Sequence, residues 1–154
     1  MKKITELFLA LILIISLSAC GESKAVEINT EELARALENE YLGGKNELIS
    51  FGEETGRVRY GIDGLYSYLY CCGSITIASD EVVLVEGKSE DDAKKIYELI
   101  EKYRNDRIEL FKSYAADEVP KLEDAFLERS GKYVIFVASE DVSVAKKLFK
   151  EAKG

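Results

Sequence analysis

Apolar residues are distributed unevenly along the chain, and the longest apolar run lies near the N-terminus. Residues Leu7 to Leu17 are almost uninterrupted apolar sequence, and Lys2 and Lys3 precede them. Eleven helical residues span about 16 Å, roughly half the hydrocarbon core of a bilayer, so this run is too short for an ordinary transmembrane helix. A basic start, a short apolar stretch and a small-residue end predict a signal peptide over residues 1–19.

After this leader the pattern changes to that of a helix. Apolar side chains recur at helical spacing at Leu33, Ala34, Leu37 and Tyr41. Asn29 or Thr30 can cap this helix, and Glu31 and Glu32 in its first turn suit the positive end of the helix dipole. The glycine pair at 43–44 is expected to end it.

Extended segments are predicted between residue 48 and residue 138. They cover residues 48–51, 57–60, 65–70, 74–79, 82–86, 122–128 and 133–138. Gly73 is expected to form a bulge or bend, Asp80-Glu81 a turn into the next strand, and Ser130-Gly131 a hairpin turn. Pro120 is expected to end any helical continuation before the second hairpin.

Two stretches of the chain have similar sequences. An apolar strand, a Ser-Glu-Asp segment and an Ala-Lys-Lys helix occur over residues 82–98 and again over 134–150. Ser89 caps the first of these helices, which is expected to run to about Ser113. Strand–strand–helix occurring twice predicts an α+β domain of two layers. We expect an antiparallel sheet of about four main strands, with helices packed on one face and an additional N-terminal helix.

Composition narrows the range of functions. The chain has 154 residues, with 29 acidic and 21 basic side chains and a net charge of −8. An acidic surface repels phosphate backbones, so no nucleic-acid partner is expected. Histidine is absent, which removes the commonest general base, the commonest metal ligand and every histidine-centred triad. No cofactor or metal is expected, and no catalytic residue stands out.

The end of the leader carries the sharpest chemistry. It reads Leu17-Ser18-Ala19-Cys20, followed by Gly21, and resembles the lipobox of bacterial lipoproteins. The resemblance implies cleavage between Ala19 and Cys20 and lipidation of the Cys20 thiol, which anchors the protein to the outer face of the cytoplasmic membrane. An ordinary cysteine after a simple secretory signal is the alternative.

The predicted cleavage defines three parts of the chain. Residues 1–19 are the signal peptide, residues 20–29 are the lipidated cysteine and a polar tether, and residues 30–154 are a single domain. Removal of the signal leaves a net charge of −9. An anionic membrane leaflet should therefore repel the domain, so that the domain does not lie on the membrane surface.

Beyond the leader, the chain resembles a family of lipoproteins from Gram-positive bacteria. Their shared module is the uncharacterised domain of unknown function 4358, and the resemblance covers about residues 35–152. It rests on the run at 78–81 before an apolar strand, on the long charged helix, and on residues 131–134 leading to 139–141. The resemblance implies an exported, lipid-anchored α+β domain and brings no activity or ligand with it.

The adjacent cysteines Cys71 and Cys72 are not part of the residues that carry the family resemblance. An adjacent pair can form a strained disulfide, a redox switch or a soft-metal site. Neighbouring strand residues point to opposite faces, however. The purely structural interpretation of the pair therefore places one thiol in the core and the other under a helix or loop. The chain has no Cys-x-x-Cys motif to favour redox chemistry.

Three tyrosines alternate along a predicted strand. In an extended chain Tyr66, Tyr68 and Tyr70 share one face, which is typical either of a binding platform or of a sheet face covered by a helix. The sequence therefore predicts a lipoprotein that acts as a non-catalytic binding or accessory module at the cell envelope, with an envelope protein or a cell-wall ligand as partner. The alternative is a thiol-dependent redox or metal-handling protein that uses Cys71 and Cys72.

Overall fold

The computed structural model describes residues 26–42 and 48–154. The predicted signal peptide, Cys20 and most of the tether lie outside the described residues, as does the glycine pair at 43–44. Within the two described ranges, no helix is long and apolar enough to cross a bilayer.

Helices and strands follow one another along the chain, and a short 3₁₀ turn at Ala116–Glu118 separates two of the helices. The elements are α1 (Thr30–Tyr41), β1 (Leu48–Ser50), α2 (Glu53–Tyr60), β2 (Tyr66–Ser74), β3 (Glu81–Gly87), α3 (Glu90–Phe111), α4 (Val119–Glu123), β4 (Phe126–Ser130), β5 (Tyr133–Ala138) and α5 (Ser143–Ala152).

The five strands form one sheet in the order β1-β2-β3-β5-β4, and every neighbouring pair is antiparallel. The two central strands, β3 and β5, are buried along almost their whole length. Since successive strand residues point to opposite faces, burial of all of them requires cover on both sides of the sheet. Helices α1 and α5 pack on one face, and α2, α3 and α4 pack on the other.

The α+β class, the antiparallel sheet and the N-terminal helix are confirmed. The expectation of two layers with helices on one face is wrong, because helices cover both faces of the sheet. Strand–strand–helix does occur twice, as β2-β3-α3 and as β4-β5-α5. The helices of the two units nevertheless lie on opposite faces of the sheet, so a similar local sequence does not decide the side on which a helix packs.

Four local predictions are also wrong. Residues 57–60 belong to helix α2, which begins after Gly52 and ends at Gly61 in the left-handed conformation, so these glycines flank a helix instead of a strand. Residues 75–80 form a loop, and Gly73 lies in the regular ladder opposite Glu81. Pro120 lies in the first turn of helix α4, where a missing N–H costs nothing.

The start of the described chain and the β2–β3 loop lie at opposite ends of the sheet. Val26 lies beside Gly131 in the β4–β5 turn, and the Thr30 hydroxyl donates a 3.4 Å hydrogen bond to Glu86 near the end of β3. We call this end the tether end. The β2–β3 loop precedes Glu81 at the start of β3, and we call that end the distal end. Helix α3, about 33 Å long, runs from the tether end to the distal end.

Candidate functional site at the distal end

Three successive polar residues are buried where the chain enters β3. Ser79, Asp80 and Glu81 are each at most 4% exposed. Burying a polar or charged side chain costs free energy unless hydrogen bonds or ion pairs replace its water. Their partners come from segments that are distant in the sequence, so this short run connects three helices to the central strand.

Glu81 lies within a group that we call the Glu81 cluster: Arg59, Tyr60, Glu81, Tyr103 and Arg107. Its carboxylate accepts hydrogen bonds from Arg59 Nε at 2.8 Å, from the Tyr60 hydroxyl at 2.7 Å and from Arg107 Nη1 at 3.1 Å. The Tyr103 hydroxyl donates to both carboxylate oxygens, at 3.0 and 2.9 Å. One buried anion thus connects helix α2 with helix α3.

Aromatic rings hold the two guanidinium groups in place. The Arg59 Cζ lies 5.1 Å from the centre of the Phe51 ring and 5.6 Å from that of Tyr103. The Arg107 Cζ lies 4.8 Å from the centre of the Phe111 ring. Contacts of this kind between cations and ring faces are attractive and also limit the movement of the side chain. The cluster contains two cations and one carboxylate, a net charge of +1 in an acidic protein.

Three members of this cluster keep one protonation state near neutral pH. Burial opposes the charged form of Arg59, but the adjacent Glu81 carboxylate raises the net pKa of its guanidinium above the ordinary value. Burial, together with Glu81, raises the pKa of Tyr103 to about 12 and that of Tyr60 well above its usual range. Groups that exchange no proton near neutrality are poor general acids or bases. Arg59, Tyr60 and Tyr103 are therefore better suited to binding and structure than to proton transfer.

A second polar network lies beside the first and involves the other two buried residues. The Ser79 backbone N–H donates to the Glu118 carboxylate at 2.7 Å, and the Ser79 hydroxyl donates to it at 2.9 Å. Lys121 donates to Asp80 at 2.9 Å and to Glu118 at 3.2 Å. Burial of Glu118 raises the pKa of its carboxyl, but the bonds from Ser79 and Lys121 lower it more, so the net shift is downward. The network fixes the end of the β2–β3 loop to Glu118 and to helix α4.

Four large apolar side chains near the distal end are exposed, and we call them the distal surface: Ile75, Ile77, Leu110 and Tyr114. Each of these side chains is more than half exposed. Ile77 and Tyr114 line a shallow cavity of about 430 Å³, together with Thr76, Ala78, Ala115, Asp117 and Glu118. Single exposed apolar residues are normal, but two large ones that line the same cavity are more typical of an interaction site.

A second cavity of similar volume lies at the tether end, between helices α1 and α5. Apolar side chains such as Leu33 and Leu148 form part of its lining, and Glu27, Glu32 and Glu151 form its acidic rim. Two of these carboxylates have local partners, since Glu32 accepts from Asn29 and Glu151 pairs with Lys147. We consider the distal end the better candidate site because large apolar side chains are exposed there.

The three predicted tyrosines do not share one face. An irregularity between Tyr66 and Tyr68 places an additional residue, Ser67, in β2 relative to β3. A one-residue shift reverses the side chain's face, so Tyr66 packs on the α3 side of the sheet while Tyr68 and Tyr70 pack on the α1 side. All three are partly buried, and Tyr66 also donates a 2.8 Å hydrogen bond to Glu53. No platform of three rings exists.

Cys71 and Cys72 are free, buried and directed to opposite faces of the sheet. Burial raises the pKa of the Cys71 thiol to about 11 and that of the Cys72 thiol to about 12. Thiolates are the reactive form in disulfide exchange and metal binding, and these shifts keep both groups protonated at neutral pH. Among the residues that the structure describes, no three His, Cys, Asp or Glu side chains are grouped to hold a metal ion. The geometry therefore gives the redox and metal-handling alternative no support.

We expect both thiols to resist alkylation in the folded protein. At pH 8 the native chain should incorporate iodoacetamide at Cys71 and Cys72 at least tenfold more slowly than the urea-unfolded chain, because burial blocks access and disfavours the thiolate. Labelling of Cys71 in the native chain should stay slow until the pH approaches the raised pKa of its thiol, about 11. Mass spectrometry of alkylated peptides measures both rates. Fast native labelling at pH 8, or an intact link between the two cysteines before reduction, would contradict the structural assignment.

Reasoning from the sequence did not find the Glu81 cluster. Asp80 and Glu81 are expected in a turn on sequence grounds, whereas both are buried and ion-paired. The partners of Glu81 lie 21 to 26 residues away along the chain, so no local spacing reveals them. One signal was present: the run from Ala78 to Glu81 is among the features that carry the family resemblance, although a role for it could not be assigned from the sequence.

Comparisons with known proteins agree with that resemblance. A family model described as "Domain of unknown function (DUF4358)" matches residues 44–139, well over half of the chain. The matched region contains Ser79, the whole Glu81 cluster and the distal surface. No curated protein and no solved structure matches the chain. The chain belongs to the DUF4358 family.

Proposed function

We propose that this protein is a lipid-anchored accessory lipoprotein of the cell envelope that binds another protein through its distal surface. The observation that carries the proposal is the group of exposed apolar side chains at the end of the domain opposite Val26. Folded monomers rarely expose several large apolar residues together unless a partner covers them. Tyrosine and aliphatic side chains around a shallow cavity resemble the centre of many protein interfaces.

The proposed anchor sets the direction of this surface. Lipidation at Cys20 leaves residues 20–25 between the membrane and the described chain, a span of at most about 20 Å even when fully extended. Val26 lies at the tether end, so a short linker keeps that end toward the membrane. The distal surface then faces away from the lipid, where another envelope component can reach it.

Charge favours a protein partner over a membrane or a second copy of the chain. The cavity of the distal surface has Asp117 and Glu118 in its lining, and the whole chain carries a net charge of −8. Anionic lipids and identical acidic domains would both be repelled. We therefore commit to a partner whose contacting segment combines apolar side chains with Lys or Arg. The lack of histidine and the raised pKa values of Arg59, Tyr60 and Tyr103 support binding as the role of the domain in place of catalysis.

Photo-crosslinking in living cells tests this proposal. A benzophenone amino acid placed at Ile77 of the full-length chain should give one discrete product with another protein. The same probe at Val58, which is equally exposed (67% against 66%) but lies outside the distal surface, is the matched control and should give none. Introducing Tyr114→Asp should reduce the Ile77 product at least tenfold, because a buried, unpaired carboxylate disfavours the interface.

The identity of the crosslinked product shows which kind of partner covers the distal surface. Mass spectrometry should locate the crosslink in a protein segment that carries apolar and basic residues. Products that contain only lipid or a second copy of the chain would overturn the proposal. Equal yields from Ile77 and Val58 would overturn it as well, since the contact would then not be specific to the distal surface.

A further inference from the structure

The guanidinium of Arg59 has unused capacity for hydrogen bonding. Its Nε donates to Glu81 and to the Tyr103 hydroxyl, both at 2.8 Å. In the described part of the chain its two terminal nitrogens, Nη1 and Nη2, make no hydrogen bond, and the side chain is one-third exposed. The Nε of this guanidinium is thus engaged by the protein, while its terminal nitrogens have no protein partner in residues 26–42 and 48–154 and the side chain is partly exposed.

The charge around Arg59 is also incompletely balanced. Within residues 26–42 and 48–154, both Arg59 and Arg107 form their ion pairs with the single carboxylate of Glu81. Arg107 is more deeply buried than Arg59, so the excess positive charge is accessible mainly at Arg59. Most other charged side chains in residues 26–42 and 48–154 are exposed to solvent, and salt screens exposed charges beyond about 8 Å at physiological ionic strength. The neighbouring Asp80 and Glu118 carboxylates are engaged by Lys121 and do not occupy the terminal N–H groups of Arg59.

We propose that Arg59 is the centre of a binding site for a carboxylate ligand, held by the two terminal nitrogens of its guanidinium. Two parallel N–H groups match the two oxygens of a carboxylate, and such bidentate pairs are among the strongest hydrogen-bonded contacts in proteins. The bonds of Nε to Glu81 and Tyr103 hold the group in one orientation, so little conformational entropy is lost when the ligand binds.

The charge of the protein favours a singly charged ligand group. The chain carries a net charge of −8, and a carboxylate brings one negative charge to it. A phosphate group carries more than one negative charge at neutral pH and is repelled more strongly. The ligand class is therefore a small molecule that carries a carboxylate. This site lies between helices α2 and α3 and does not include the four residues of the distal surface, so it is independent of the proposed protein partner.

Titration of the full-length protein in a non-ionic detergent tests the site. Acetate and inorganic phosphate are added separately at constant ionic strength, and the Nε–H signal of Arg59 is followed by NMR. Acetate should produce a saturable shift of this signal, with phosphate binding at least threefold more weakly. Arg59→Lys keeps the positive charge but has no fork of two N–H groups, and it should weaken acetate binding at least tenfold, followed on the backbone amides of residues 58–60. Arg57→Lys, on the same helix but paired with exposed acids, is the matched control and should bind like the parent.

Each remaining outcome contradicts the proposal. A shift that does not saturate, or that chloride reproduces, shows that Arg59 binds no ligand specifically. Tighter binding of phosphate than of acetate overturns the carboxylate assignment. If Arg59→Lys and Arg57→Lys bind acetate with equal affinity, the two parallel N–H groups of Arg59 do not hold the ligand. If Arg59→Lys does not fold, the titration of the parent protein decides, because the Nε–H signal reports directly on this side chain.

Discussion

Replacing Glu81 with glutamine is expected to destabilise the protein by about 3 kcal/mol, a large fraction of the stability of a domain of this size. Gln has nearly the same shape as Glu, so packing is kept while the charge is lost. Arg59 and Arg107 would then face each other without a shared anion, and Arg107 is only 13% exposed. Leaving a buried charge without its partner is costly because water cannot replace the lost ion pair.

Urea unfolding followed by circular dichroism measures this effect. The matched control is Asp106→Asn, which removes an acidic side chain of the same region that is paired with exposed Lys102 on the surface of α3. Surface ion pairs contribute little, so the control should change the free energy of unfolding by less than about 0.5 kcal/mol. If Glu81→Gln costs no more than Asp106→Asn, the Glu81 cluster does not hold α2 and α3 on the sheet.

Cys20→Ser is expected to move the protein from the membrane fraction to the soluble fraction almost completely. The proposed anchor is a diacylglyceryl group, with two long acyl chains, attached through the Cys20 sulfur. Each buried methylene contributes about 0.8 kcal/mol, so two chains anchor stably where one does not. A serine hydroxyl cannot replace the thiol as the lipid acceptor, and within residues 26–42 and 48–154 no helix can span the bilayer in its place.

Metabolic labelling with a fatty-acid analogue, followed by fractionation, measures the anchor. The parent protein should carry the label, and Cys20→Ser should lack it. Cys71→Ala is the matched control, because it removes a buried cysteine and should leave the label in place. Label that persists in Cys20→Ser, or an unlabelled and freely released parent protein, would show that the lipobox resemblance is misleading.

Local signals in the sequence predicted much of the fold. Asn29 and Ser89 cap α1 and α3 as expected, since each side chain accepts a hydrogen bond from a backbone N–H three residues later. The apolar strands at the centre of the sheet were also predicted, because strongly apolar runs bounded by turns have few alternatives. Helix α2 was missed because four of its eight residues are charged and one is glycine, which leaves little apolar periodicity to read. Its Gly56 lies directly against Cys71 and Leu69 of β2, a tertiary contact that the sequence does not reveal.

The candidate sites depended on information that the sequence does not display. Tyr66, Tyr68 and Tyr70 alternate perfectly in sequence, yet one additional residue in the strand separates the first ring from the other two. Cys71 and Cys72 were correctly expected on opposite sides of a strand, because that follows from backbone geometry alone. Leu110 and Tyr114 continue the apolar spacing of α3, yet both side chains are more than half exposed whereas Phe111 between them is buried.

The sequence by itself determined the export and lipidation prediction, the acidic character of the domain, the α+β class and most helix and strand positions, because each depends on composition or on residues within one turn or strand. The tertiary structure decided which face of the sheet each helix covers, which apolar residues remain exposed, and that Glu81 is an ion-paired core residue instead of a turn carboxylate. These properties arise from contacts between residues more than twenty positions apart. Local periodicity carries no information about such contacts, and the free energy of burying charge makes them decisive.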